Sequence, residues 1–594
     1  MWRGAPWSRL MLVLLGILLA AASVRWRILG DEGNAWKDVI ISDGAGYHAH
    51  WAMLLEPGAL HTLEAREDHL VPAGHGAVIK YMVGTPLMQA PMILVAHAIG
   101  LAVHAPPDAR AFRYQIALAV AGVLWTLIGL AALRALLLRM GFPDGAVAIS
   151  LLIVLAGTGL VVHTVMSPGM SHPCSFAAVA LLLLGAHRAW HGSSVRWTIA
   201  SAGLFALVVL VRPVNGIVLL ALPVVTLGGS VEPARWWRHV GRRALLPGMA
   251  LFAALAAIQP TVWWLQSGAW FVRPYSGEGF LWWRPQVWKS LAGAQKGLFF
   301  HWPLLLLGLP GAWPIWRCSR PAAIALVLHA VAMIYLTSAW WSWEYGDSYG
   351  PRPYLDHLAI AAIPITAFLG SFTGRASQLV RWSLVPFIAL QLFHAWQYTV
   401  GIIHPFNMDR EKWKAIRFRT NSHWRGALGG DLEPPPYAPC GLEMLTGTFA
   451  RAGTLASPWV EHAATRPDAA GRTRFLVSPE HPFGPTLRVG PEALPTGRAF
   501  HLEVSLRRGE PLPGSSHDAL VVTTLGTPGA SRVHYAFRLN DLPFASSWRH
   551  WRYAYRMPAA QPGEHLSWYV WQPGSGEFLL DSISVRIMAV RPCE

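Results

Sequence analysis

The residues of this chain best suited to chemistry are few, and they sit in the gaps between long apolar runs. Ser42-Asp43-Gly44-Ala45-Gly46-Tyr47 opens a helix-like stretch from His48 to Leu55. The spacing of Asp43 and Tyr47 puts both on one face of a helical turn. Lys80 and Tyr81 follow, with Gly84 and Pro86, then Ser171-His172-Pro173, then Tyr275 through Arg284, and Lys296-Gly297. The last group is Glu344-Tyr345-Gly346-Asp347-Ser348-Tyr349-Gly350-Pro351-Arg352. A carboxylate and a guanidinium at one membrane face suit a transfer in which an acceptor hydroxyl loses its proton while an anionic group departs. A phosphate leaving group needs no proton donor, so one base and one cation suffice, whereas cleavage of an ordinary glycosidic bond calls for two carboxylates.

Asp43 is the candidate base. Arg352 is the preferred phosphate partner, because a planar guanidinium grips two oxygens at once; Lys296 and Arg284 stand in reserve. Tyr47, Lys80, His172, Glu344, Asp347 and Tyr349 are read as contacts to donor or acceptor. Plainer roles compete: Asp43 as a helix cap, Arg352 as a snorkelling surface cation, and Asp31 or Glu32 as the base instead. Glu344 and Asp347 either hold a divalent cation or neutralise Arg352, so no cofactor is assigned and the metal is left unknown.

The elements that must position these residues are membrane helices. Of 594 residues 53% are hydrophobic and only 13% charged, the composition of a polytopic membrane protein. Apolar runs at 10–24, 113–138, 145–166, 174–191, 197–228, 245–265, 297–316, 321–338, 355–372 and 382–401 can each span a bilayer. Reading 197–228 as a hairpin of two short helices gives about eleven spans. Arg3, Arg9, Arg134, Arg139, Arg188, Arg196, Arg235, Arg238, Arg242, Arg243, Arg317, Arg320, Arg375 and Arg381 then fall on one side, which the positive-inside rule makes the cytoplasm. The N-terminus is expected inside, the first run is an uncleaved anchor, and the chemistry-bearing gaps are outside. Residues 25–112 form a long first outer loop whose apolar portion, about 81–104 with Pro86 and Pro91, is read as interfacial or re-entrant helix. The net charge of +16 is matched to anionic headgroups rather than nucleic acid. Most of the 31 tryptophans fit interfacial belts.

Past Ile403 the apolar runs stop. Residues 1–401 read as the membrane domain, 402–431 as a linker riding on headgroups, and 432–594 as an exported domain. Runs such as Ala499 to Leu506, Ala519 to Thr524, Val533 to Leu539 and Leu566 to Trp571 alternate apolar with polar residues between turn formers, which predicts an all-β sandwich. Gly576 to Val585 resembles the closing strand of jelly-roll carbohydrate-binding modules. Cys440 and Cys593 bracket this domain, and export permits a disulfide between them.

Phosphate-loop, zinc-protease, Cys-x-x-Cys, Asp-x-Asp and Gly-x-Ser-x-Gly patterns are absent from the sequence. The motifs that are present resemble the GT-C superfamily of integral-membrane glycosyltransferases, which includes protein mannosyltransferases and lipid A aminoarabinose transferases. The likeness runs over about the first 400 residues, through Asp43-Gly44-x-x-Tyr47, Lys80-Tyr81-x-x-Gly84, Ser171-His172, Arg212-Pro213-x-Asn215 and Gly350-Pro351-Arg352. Gly44 departs from the glutamate usual there. The resemblance implies sugar transfer from a polyprenyl-phosphate donor to a glycan, lipid or protein acceptor outside a bacterial inner membrane, with Asp43 as base. Two rival readings are an O-antigen polymerase or ligase, relying on Arg and His in a late loop, and a lipid-linked glycan flippase or transporter without covalent chemistry.

Overall fold

The alternation of basic and chemistry-bearing gaps becomes, in three dimensions, the two ends of a helical bundle. The computed structural model describes residues 7–593 apart from 56–68, 276, 407, 430–431, 461–463, 510–517 and 540–547. Among the described residues, eight helices are long and apolar enough to cross a membrane: Trp7–Ile28, Gly84–Ala102, Phe112–Arg139, Ser171–His191, Pro233–Ser267, Arg320–Ala339, Arg352–Gly370 and Gly374–Thr399. The chain is a multi-pass, mainly helical membrane protein. Two expected spans are interrupted for local reasons. The 145–166 run breaks at Gly157-Thr158-Gly159 into Asp144–Ala156 and Leu160–Val165, and the 297–316 run breaks at Trp302-Pro303, since proline cannot donate to the preceding turn.

At one end of the bundle the basic residues gather. Arg134 donates to the Ser8 hydroxyl over 2.7 Å, and the Ser8 amide donates to Asp144 over 3.0 Å. Gly145 lies against the Arg381 guanidinium, and Gly228 against the carbonyl of Arg139. The predicted hairpin starts and ends here. Val195–Val211 climbs away as an α-helix, turns at Arg212-Pro213, and returns as a long 3₁₀ helix, Pro213–Thr226. Seventeen α-helical residues rise about 26 Å and fourteen 3₁₀ residues about 28 Å, so the tighter winding matches the lengths of the two arms.

The Gly84–Ala102 helix is continuous through both prolines. Pro86 occupies the first turn, where its missing N–H has no intrahelical partner. Around the gap that Pro91 opens, the indoles of Trp51 and Trp125 donate to the carbonyls of Pro86 (3.2 Å) and Met88 (2.7 Å). Where the sequence suggests an interfacial or re-entrant segment, this helix is long and apolar enough to cross a membrane, and it packs along Phe112–Arg139, with His97 at 2.9 Å from the Tyr114 hydroxyl. His50 on the Ser42–Leu55 helix bonds the Tyr81 carbonyl just before it, and Leu55 lines a cavity with His97 and Gly100 near its end.

The C-terminal part is a two-layer β-sandwich. A small outer-loop hairpin, β1 (Leu70–Ala73) and β2 (Gly76–Ile79), precedes it in the chain. The sandwich strands are β3 (Leu442–Arg451), β4 (Trp459–Val460), β5 (Ala464–Pro467), β6 (Thr473–Val477), β7 (Thr486–Val489), β8 (Phe500–Gly509), β9 (Leu520–Thr527), β10 (Ala530–Arg538), β11 (Arg549–Met557), β12 (His565–Trp571) and β13 (Phe578–Val590). One sheet has the order β10-β9-β12-β7-β4, and the other β11-β8-β13-β6-β5 with β3 also on β13. Inward residues of both sheets, among them Phe475, Leu502, Val504, Tyr553, Trp568 and Ile583, form the core. Cys440 and Cys593 are joined by a disulfide, Cα–Cα 5.5 Å, at the outer ends of the paired β3 and β13.

The linker is pinned by its apolar residues: Ile402, Ile403, Ile416, Trp424 and Leu428 are buried in one cluster with the sandwich core, while Arg417, Phe418 and Arg419 stay exposed. Two polar-ended residues of the linker also face inward: Lys412 donates to the Gly429 carbonyl, and the Trp413 indole donates to the Ala294 carbonyl over 2.9 Å. The sandwich thereby stands on the loops at the bundle end opposite the basic cluster, with Arg556 stacked 4.8 Å above Trp341 and Tyr437 against Gly279.

Candidate active site

The site is built at the bundle end opposite the basic cluster. Asp43 is the second residue of its helix, and Gly46, on the same helix, lies so close to the Tyr81 ring that a Cβ would overlap it at 2.2 Å. That close approach lets the Tyr81 hydroxyl donate to Asp43 Oδ1 over 2.9 Å. The other carboxylate oxygen meets Arg352 Nη1 at 2.8 Å. Burial pushes the proton affinity of Asp43 up, but the Arg352 charge and the Tyr81 hydrogen bond outweigh it and hold the carboxyl below its ordinary range. Burial and the neighbouring Asp43 raise the Tyr81 phenol well above its usual value, so it remains the donor. Tyr47 is buried one turn on, its ring 4.9 Å from that of Tyr81.

Arg352 begins a short 3₁₀ helix, Arg352–His357, that carries a second carboxylate four residues later. Asp356 is fully buried. His172 Nδ1 lies 2.8 Å from its Oδ1; Arg212 Nη1 (3.2 Å) and Asn215 Nδ2 (3.0 Å) donate to its Oδ2. Asn215 also donates to Ser175 over 2.6 Å and pairs with His357 Nε2 at 3.2 Å, and His357 meets His329 at 3.0 Å. Asp356 has no place among the site residues read from the sequence. The available signal was an acid at the mouth of the 355–372 apolar run, a setting in which ionisable residues are costly and functional.

The remaining expected residues divide. Lys80 reaches the site's rim, ion-paired with Glu278 and 5.3 Å above the Tyr275 ring. Lys296 is buried with its ammonium donating to the Ser348 carbonyl, the Ser348 hydroxyl (3.1 Å) and the Pro405 carbonyl (2.7 Å), a joint between the late loop and the linker. Burial pulls its pKa down to about 7. Tyr349 points into the core, with its hydroxyl toward the Gln391 carbonyl and its ring 5.3 Å from Tyr398. Glu344 is buried, accepts from Ser342 over 3.0 Å, and is raised by burial; Asp347 is exposed. Arg284 is exposed beside Trp283, and Asp31 and Glu32 lie exposed in a turn after the first helix. Lys296, Tyr349 and Arg284 are therefore not gathered with Asp43. Among the described residues no group of three His, Cys, Asp or Glu could hold a metal ion; Asp43 and Asp356 each face an arginine instead, so no step is assigned to a metal.

The fold thus defined is a helical multi-pass membrane domain followed by an all-β sandwich. Similar solved structures include the Archaeoglobus fulgidus oligosaccharyltransferase, at 12% identity and TM-score 0.41, covering 71% of this chain and 59% of that one. Another is the arabinosyltransferase EmbB from Mycobacterium smegmatis, at 13% identity and TM-score 0.31, covering 98% of this chain and 67% of that one. The CBM22-1 xylan-binding domain from Paenibacillus barcinonensis matches 25% of this chain over 97% of its own length, at 13% identity and TM-score 0.16. The chain spans about three fifths of the oligosaccharyltransferase's length. No family model and no curated protein sequence matches it.

Proposed function

We propose that this protein is a GT-C-type glycosyltransferase that moves a sugar from a polyprenyl-phosphate donor to a glycan, lipid or protein acceptor, at the outer face of a bacterial inner membrane. The observation that carries the reading is the Asp43–Arg352 pair, which joins the first loop to the late 352–357 segment away from the basic end of the bundle. In the resting site Arg352 keeps Asp43 ionised and weakly basic. When the donor enters, its phosphate competes for the Arg352 guanidinium. Asp43 loses its counter-charge, and its proton affinity rises where a base is needed. The acceptor hydroxyl then gives its proton to Asp43 as its oxygen bonds to the anomeric carbon. The bond from that carbon to the phosphate oxygen breaks, and the released phosphate keeps the electron pair beside Arg352.

In the same reading the sandwich lies outside the membrane and holds the acceptor. Phe483, Tyr569 and Trp571 form an aromatic row on the outer face of the β12 sheet, with Phe483 and Trp571 inclined by only 12°. The test is transfer of a labelled sugar from a panel of polyprenyl-phosphate sugars by purified protein with membrane extracts as acceptor. Transfer that needs Asp43 supports the reading; transfer at full rate by Asp43→Asn removes the base.

A further inference from the structure

Asp356 is a sealed carboxylate to which the transfer step just described gives no task. A buried ion pair is poor value for stability, since apolar residues of the same volume serve as well or better. Its geometry suits positioning instead, and three observations converge on Arg212. The first is exposure. In the Asp43–Arg352 pair the acid is the open member, 30% exposed against 16% for the arginine; in the Arg212–Asp356 pair the arginine is 24% exposed and the acid 0%. One pair offers an anion to the site, the other a cation.

The second observation is backbone placement. Pro213 holds Arg212 extended (φ −154°, ψ 114°), which ends the Val195–Val211 helix and turns the side chain sideways. Just before it, Leu210 and Val211 pack on Gly84 so tightly that a Cβ there would lie 2.3 Å from backbone atoms. The third is saturation of Asp356. With His172, Asn215 and Arg212 Nη1 all bonded to it, the carboxylate can turn in no direction, and it grips only one edge of the guanidinium. Its guanidinium is also within electrostatic range of Asp43 and Tyr47.

We propose that Asp356 is a positioning residue which, through Arg212, builds a second cationic contact for the phosphate of the lipid-linked donor, opposite Arg352. This rests on the donor assigned above. Two guanidiniums then flank one phosphate: Arg352 drawn from the base, and Arg212 held from behind by Asp356 and its His172–Asn215 braces. Because Asp356 never touches the substrate, its loss should weaken donor binding more than it slows the bound donor's reaction.

The experiment uses the full-length protein in lipid nanodiscs and measures binding of labelled polyprenyl phosphate, with polyprenol and inorganic phosphate as comparison probes, alongside transfer kinetics. Arg212→Gln and Asp356→Asn are each expected to weaken polyprenyl-phosphate binding about tenfold or more and leave polyprenol binding unchanged. Asp356→Asn should raise the donor KM about tenfold while kcat stays within about threefold. If that variant does not fold, as its unfolding midpoint shows, Arg212→Lys carries the test: it keeps the charge, loses the fork, and is expected to show the same loss. Wild-type binding with unaltered affinity in both Asp356→Asn and Arg212→Lys overturns the positioning role alone. A wild-type protein that does not prefer polyprenyl phosphate to polyprenol overturns the donor reading itself, and equal binding of inorganic phosphate shows a free-anion site instead of a lipid-donor site.

Discussion

Two acid–arginine pairs hang on one six-residue 3₁₀ helix, and they are inverted copies of each other. Arg352, at its start, reaches outward to a partly open Asp43 in the first outer loop, whereas Asp356, near its end, reaches inward to an arginine at the tip of the helical hairpin. In the proposed mechanism the same two residue types take opposite functions, because burial sets which member is open to the substrate. An open carboxylate can accept a proton, and an open guanidinium can only bind an anion. The difference also separates what each substitution should do to turnover and to binding.

The largest effect is expected at the open acid. Asp43→Asn should lower kcat by about 10² to 10⁴-fold, the usual worth of a positioned general base, with membrane insertion and donor binding retained. Arg352→Lys is next. A lysine cannot grip two phosphate oxygens in one plane, and a loss of about ten- to a hundredfold in kcat/KM is expected in the same transfer assay.

The pH profile sharpens the contrast between free and loaded enzyme. Because Arg352 and Tyr81 hold Asp43 below its usual value of about 3.9 in the free site, the acid limb of kcat/KM should lie at low pH. The limb of kcat should move upward once the phosphate occupies Arg352. For stability the sign is the same: the favourable Asp43 interactions are complete above the unfolded pKa and are lost as pH falls through the lowered folded one. Tyr81→Phe removes one hydrogen bond to the base; it should shift the acid limb of kcat/KM upward and change the rate only several-fold. The smallest effect on chemistry belongs to Lys296→Met. It strips donors from Ser348 and Pro405, costing about 1–3 kcal/mol in unfolding, yet should leave kcat within about threefold because that ammonium lies outside the pair.

Much of this comparison was legible in the sequence, but unevenly. The basic residues gathered at one end, the hairpin at 197–228, the strands and the cysteine bracket all follow from local patterns, and local patterns survive folding. What failed was the direction of side chains whose partners are far away in the chain. Lys296 and Tyr349 sit in polar outer segments like their neighbours, but the linker folds over them and turns them inward. Asp356 was hidden for the opposite reason, because it begins an apolar run and its partners lie at 172, 212 and 215. The linker itself reads as basic and aromatic, yet it buries its apolar minority in the sandwich core. No span periodicity contains that information.

The central claim is that Asp43 is the base of a sugar transfer whose leaving group is a lipid phosphate, and it is tested most directly by a single-turnover assay. Purified wild-type and Asp43→Asn protein, each preloaded with labelled polyprenyl-phosphate sugar, are mixed with acceptor, and the labelled product is counted. The account predicts that both bind the donor and that only the wild type transfers the sugar. Product formed at the wild-type rate by Asp43→Asn would contradict it.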